Sequence, residues 1–338
     1  VLGVAHLLIS GTLNLSSMDY FVRRLVTQML PVMFLASFLV FMVVRFIPGD
    51  PALIAAGGEN RMSPEAYEIA RERLGLTEPF HTQYFKWLGG IFRGDFGTSM
   101  IKGVPAADII FGAFPASIEL TVFALAYGWT WGLALGILAA VYRGRFWDYF
   151  AALWTGFNIG VPSFIAGLLF LLIFAVTLNW FPASGRVPFL SDPLDSLRHV
   201  ALPAIALGSI VSANLSRYTR QSILDTLTED YIRTARSKGL RERTVLLRHA
   251  LKPSLIPAVT VMGLELGGVL SGTLVIEQVF TWPGLGRALV SSVRERDYVV
   301  MQSITLLLVA IFLTANLITD LVYVALDPRI RLGTKADA

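Results

Sequence analysis

Hydrophobic positions in this chain gather into six apolar runs, covering residues 25–47, 116–142, 149–178, 200–222, 257–280 and 300–326. Each run reaches the ~20 residues a helix needs to cross a bilayer, so the pattern predicts an all-α polytopic membrane protein. The third run is over-long and contains Pro162, which predicts a tilted or kinked span. Asn214, Arg217 and Arg220 crowd the end of the fourth. The segment between the first two runs, 48–115, contains two helices of its own. In "MSPEAYEIARERLGL", Ser63 is placed to N-cap, Pro64 to occupy the first helical position, Glu65 to sit in the first turn and Gly75 to end the helix. "PFHTQYFKWLGGIF" reads as a second, amphipathic helix. Its Tyr84, Phe85, Trp87 and Phe92 suit either the membrane interface or packing on the outer rim, and a docking partner is a third option.

Composition agrees with the pattern. The 338 residues are 54% hydrophobic and 15% charged, against about 25% charged for soluble domains. Cysteine is absent, which excludes disulfides, thiolate metal sites and a cysteine nucleophile. His6, His81, His199 and His249 never form a ligand-spaced pair, so a histidine-built metal site is not expected. Residues 1–17 lack the basic start and cleavage pattern of a signal peptide and read as an extension ahead of Met18.

Charge placement changes the picture more than net charge does. Arg23 and Arg24 precede the first run, Arg143 and Arg145 follow the second, and Arg329, Arg331 and Lys335 follow the sixth. With six alternating spans these all fall on one side, predicting both termini in the cytoplasm. The expected domains are 18–115 (one span plus the outer segment), 116–326 (five spans with a cytoplasmic loop at 223–256) and a tail at 327–338.

No phosphate-binding G-x-x-x-x-G-K-[ST] loop, G-x-S-x-G elbow or H-E-x-x-H motif is present, and nothing resembles a catalytic constellation. Gly128, Gly132 and Gly136 recur every fourth residue, and Gly263, Gly267, Gly268, Ser271 and Gly272 form a second small-residue face. Such faces predict close helix packing, within the chain or with a partner, with packing inside the chain the preferred reading. Ionisable groups at membrane depth are default functional candidates. Glu119, Glu277 and Asp320 fall near headgroup level and suit structural roles. Glu265, near mid-span, either faces an aqueous cavity or bonds an unwound backbone beside Gly263 and Gly267. With Gly267 and Ser271 it is the candidate translocation-pathway group.

The most unusual stretch is "EDYIRTARSKGLRERTVLLRHALKPSLIP", residues 229–257, strongly basic between two oily runs. Thr228 is placed to cap a helix opening on Glu229 and Asp230, Gly239 to end it, and Pro253 and Pro257 to redirect the chain into the fifth span. A short basic helix–turn–helix results, suited either to a groove on a soluble partner or to anionic lipid.

This loop resembles that of binding-protein-dependent ABC importer permeases, with the pattern E-A-A, three residues, Gly, nine residues, I-x-L-P. Arg233-Thr234-Ala235 stands at E-A-A, Gly239 at the glycine and His249-Ala250-Leu251-Lys252 at the ending. The form "DYIRTARSKGL…HAL" is similar to the dipeptide, oligopeptide and nickel permeases. So are "RFIPGDP", "RGDFGTSM", "LPAIALG", "TWPGLGR" and "DPRIR", and the arrangement resembles the first permease of the family's pair. The resemblance implies the type I ABC importer permease fold and a non-catalytic subunit in the bacterial inner membrane. It also implies a second permease, two ATPase subunits and a periplasmic or lipid-anchored binding protein as partners. No cofactor is expected on this chain; ATP and Mg would be used by the ATPases. The residues carried over as the ATPase-coupling loop are Asp230, Tyr231, Ala235, Arg236, Lys238, Gly239, Leu240, His249 and Leu251. Arg233 replaces the pattern's glutamate, so that residue's salt bridge is not carried over. Peptide cargo is expected, with nickel chelate or glutathione as alternatives. From another class, a secondary transporter or channel would show paired intramembrane charges, and transport independent of ATP would identify it.

Overall fold

The computed structural model describes residues 24–46, 52–53, 64–73 and 75–326. The expected features at residues 1–17, at Arg23, at Ser63, across most of "RFIPGDP" and in the tail from 327 lie outside these. Among the described residues the only extended pairing is an isolated bridge between Thr98 and Pro105.

Helix α1 (Leu30–Phe46) follows a wide turn at Leu25–Met29. Helix α2 (Pro64–Arg73) begins on Pro64 as expected. Gly75 then closes it: its φ is +64°, its N–H donates to the Glu72 carbonyl at 3.0 Å, and Leu76 N–H donates to Arg71 at 2.9 Å. Helix α3 (Phe80–Phe92) is the aromatic one. Helix α4 (Ala106–Val141) starts ten residues before the expected span and runs through Pro115. Burial explains why proline does not set the boundary: Ile110 and Ala113 pack with Leu285, Val300 and Ile304, and that packing offsets the lost backbone bond.

The third run is broken rather than merely kinked. Helices α5 (Phe146–Gly160) and α6 (Ser163–Phe170, continued as a wide helical turn to Thr177) meet at 109°. Pro162 lacks an N–H and biases its predecessor out of the helical region, and Val161 is extended at φ −109°, ψ 122°. Helix α7 (Pro193–Thr226) is longer than its apolar run: Asp192 caps it by accepting from Leu194 and Asp195 N–H, both at 3.1 Å, with Pro193 at the first position. Asn214, Arg217 and Arg220 therefore lie inside a helix and not at its end. Helix α8 (Asp230–Ser237) and helix α9 (Leu251–Val279) follow. The turns Glu242–Thr244 and Val245–Ala250 lead into α9, which continues through Pro253 and Pro257, so these prolines do not redirect the chain. Helix α10 (Leu285–Glu295) and helix α11 (Tyr298–Leu326) complete the described chain. Five helices are long and apolar enough to cross a membrane among the described residues, six if the bent pair α5–α6 counts as one span.

The described helices form two compact units, one of 118–282 and 314–326, the other of the remaining residues up to 117 and 283–313. In the first unit α7 is the most enclosed helix, with α5, α6 and α9 packed on it. Gly128, Gly132 and Gly136 of α4 meet α7 backbone to backbone. A Cβ on Gly136 would lie 2.7 Å from the Ser216 carbonyl oxygen, and one on Gly132 2.9 Å from that of Ser212. Gly208 answers from α7, where a Cβ would lie 2.3 Å from the Ala124 carbonyl oxygen. Packing within the chain is thus what this stripe does. Polar ties complete the unit: Trp154 Nε1 donates to Ser212 Oγ at 2.9 Å, and Arg220 Nε donates to Asp148 at 2.7 Å.

In the second unit Tyr84 is buried against Phe34, Phe38 and Phe41, and its hydroxyl pairs with Ser37 at 2.8 Å. Phe85 and Phe92 stay exposed, so α3 divides its aromatics between packing and open surface. Two of the quoted motifs anchor here. In "RGDFGTSM" the Phe96 carbonyl accepts from Ser303 Oγ at 3.0 Å, and Ser99 Oγ donates to buried Asp297. Leu285 N–H, from "TWPGLGR", donates to Ser117 Oγ at 2.8 Å.

Candidate functional site

The basic stretch folds as a helical hairpin. Glu229 is the capping residue of α8 but its side chain makes no capping bond, and Thr228 Oγ1 instead donates to the Asp225 carbonyl at 2.7 Å. The expected Thr228 cap is therefore replaced by a tie back to the end of α7. Ile232 and Ala235 form the inner face of α8 and pack with Val245, Ala250 and Leu227. A side chain larger than alanine at 235 would open this small core. Gly239 has φ +76° and donates its N–H to the Arg236 carbonyl at 2.9 Å. Nothing lies within 4 Å of where its Cβ would be, so glycine is required for backbone conformation and not for space.

A contact the sequence did not announce closes the hairpin. Arg236 Nη2 and Nε donate to the two Glu242 oxygens at 2.6 and 3.1 Å. This fork joins the last turn of α8 to the first turn after the glycine, and the carboxylate raises the guanidinium's pKa above its ordinary value. Six residues separate the pair across a glycine turn, a spacing no single-helix rule covers.

The remaining predicted loop residues take different positions. Asp230 is exposed, with Arg233 Nη1 at 3.5 Å. Tyr231 and Leu240 are exposed, as is Leu247, which sequence reasoning passed over. Lys238 is exposed at the end of α8, and His249 and Leu251 are half-buried. The outer surface therefore combines Tyr231, Leu240 and Leu247 with exposed Arg233, Lys238, Arg241, Arg243, Arg248 and Lys252. That combination of apolar points in a basic field can seat in a partner's groove and be steered there by charge.

The candidate pathway residues separate. Gly267 is buried and Ser271 exposed, and Glu265 is half-buried. Helix α9 is not unwound beside Gly263 and Gly267. Glu265 Oε1 instead accepts from Asn214 Nδ2 of α7 at 2.9 Å. Glu119 belongs to a partly buried pair: Arg186 Nε donates to it at 2.7 Å and Ser196 Oγ at 2.9 Å. Glu277 is fully buried, and the Asp320 side chain lies outside the described residues.

Several apolar spans with a basic helical hairpin between them define a polytopic membrane protein. At the level of fold, the chain is similar to the crystal structure of an amino acid ABC transporter with histidines (TM-score 0.50, 16% identity, 64% of this chain and 92% of that one). Residues 132–332 match the binding-protein-dependent transport system inner membrane component family, and 17–121 match its N-terminal membrane component family. The chain belongs to this family of ABC importer permeases. It is 41% identical over 314 residues, 93% of this chain and 99% of theirs, to the glutathione transport system permease protein GsiC of Escherichia coli strains including K12. It is 40% identical to the GsiC of Shigella flexneri serotype 5b (strain 8401). The protein is thus a multi-pass permease of the bacterial inner membrane, in a class of system that works with a partner ATPase and a substrate-binding protein.

Proposed function

We propose that this permease forms half of an import pathway for short peptides, glutathione-type tripeptides among them. The observation that carries this reading is the 41% identity spanning 99% of a permease named for glutathione transport. The reading puts both termini in the cytoplasm, in keeping with the Lys and Arg residues that flank the spans on one side. It divides the chain at the boundaries expected from sequence, with 223–256 as the cytoplasmic loop. It pairs the chain with a second permease, with two ATPase subunits that use ATP and Mg, and with a binding protein on the outer side. This chain itself binds no cofactor.

The hairpin at 229–251 is the coupling element in this reading. Its internal core of Ile232, Ala235, Val245 and Ala250 and its Arg236–Glu242 fork make it a stiff lever. Closure of the ATPases moves that lever, and the spans alternate between inward and outward access. Nucleotide state must bind the two conformations unequally for this to occur. Reconstitution with the partner subunits tests the reading: labelled glutathione should enter vesicles only with ATP and loaded binding protein. Replacement of Gly239 by Val forces a β-branched residue to φ +76° at a cost of about 1–3 kcal/mol. That variant should insert normally yet lose transport and stimulated ATPase activity. Full transport by Gly239→Val would sink the coupling role, and uptake without ATP would sink the importer reading.

A further inference from the structure

The carboxylate of Glu265, at membrane depth, has one neutral partner among the described residues. Among the described residues its hydrogen bond is the one from Asn214 Nδ2, at 2.9 Å to Oε1. The other oxygen, Oε2, lies 3.9 Å from where a Cβ on Gly268 would be, and Gly268 is exposed. The cation nearest in sequence to Asn214, Arg217, is directed elsewhere, its guanidinium 5.4 Å from the ring centroid of Tyr218. Glu119 shows the contrasting solution: its carboxylate is closed by the Arg186 guanidinium and the Ser196 hydroxyl. A carboxylate in an apolar span is costly without a countercharge, and the described residues supply none to Glu265.

We propose that Glu265, oriented by Asn214, receives the protonated amino group of the peptide during its passage. The inference rests on the peptide-import reading and names the part of the cargo this permease recognises. Asn214 fixes one carboxylate oxygen and leaves the other, beside the side-chain-free Gly268, for an ammonium N–H donor. No bond is made or broken; the ammonium exchanges water for the carboxylate on entry and returns to water on release. Recognition at this point discriminates a free amino terminus from a blocked one.

The test uses the assembled transporter in proteoliposomes, with the binding protein saturated by glutathione or by its N-acetylated form. Wild type should import glutathione faster than the acetylated probe. Glu265→Gln preserves size and the bond to Asn214 but removes the charge. It should lower glutathione uptake about tenfold, as expected for a lost charge-assisted hydrogen bond, and bring the two probes to equal rates. Glu265→Asp, which keeps the charge, should retain the preference. Three results overturn the inference: an unchanged preference in Glu265→Gln, an equal fall for both probes, or loss of the second permease on purification, which would make the countercharge a subunit contact. If wild type imports neither probe, the cargo reading fails, and this assignment falls with it.

Discussion

Two small-residue faces of this protein look alike in sequence and meet different fates. On α4, Gly128, Gly132 and Gly136 are consumed by contact with α7, where Gly208, Ser212 and Ser216 bring backbone against backbone. The α9 face divides. A Cβ on Gly263 would lie 3.2 Å from Thr319 and one on Gly272 2.7 Å from Leu207 of α7, and Gly267 is buried. Gly268 and Ser271 stay exposed, with a Glu265 carboxylate oxygen 3.9 Å from a Cβ on Gly268. The two glutamates contrast in the same way: among the described residues Glu119 has a countercharge and Glu265 has none. A small residue in a span therefore signals close approach without saying of what. On α4, and at Gly263 and Gly272 of α9, it is the chain itself; at Gly268 the described residues place only a Glu265 oxygen within 4 Å.

Substitutions can break or sharpen this contrast. The largest effect is expected for Gly208→Leu, whose Cβ would lie 2.3 Å from the Ala124 carbonyl. Overpacking against backbone should cost about 3 kcal/mol or more, seen as a loss of folded protein after detergent extraction. A melting temperature equal to wild type would show that α4 and α7 can separate freely. Glu119→Gln comes next: it keeps the Ser196 bond but leaves the Arg186 charge uncompensated, at a cost of about 2 kcal/mol. Thermal unfolding in detergent reads this directly. Glu265→Gln should cost under about 1 kcal/mol in the same assay, because an amide also satisfies Asn214. If it destabilised as much as Glu119→Gln, the distinction between closed and open carboxylates would collapse. Gly268→Leu should be the mildest, within about 0.5 kcal/mol for the isolated chain. A large loss there would mean that α9 is already fully packed.

Much of the hairpin is legible in the sequence. The Ile232 and Ala235 positions mark one helix face, and a glycine followed by new helix-forming residues marks the stop at Gly239. The same capping logic reads Pro64 and Gly75 correctly. It fails at Thr228, whose hydroxyl is held by Asp225, and at Pro253 and Pro257, around which α9 continues. The start of α7 is signalled by Asp192-Pro193, but an apolar-window search does not look for caps in polar sequence. The Arg236–Glu242 fork has no signal, since it depends on the angle set by the glycine turn.

By itself the sequence determined that this is a helical membrane protein, where its spans lie, and which family it resembles. These follow from local quantities: runs of apolar residues must leave water, and backbone groups in lipid must be satisfied within helices. Tertiary structure decided which small residues of each face are closed, that the third run breaks at 109°, and that Glu119 gains a countercharge which the described residues do not give Glu265. Those outcomes depend on which helix lies beside which, and no periodicity within a single helix records its neighbour.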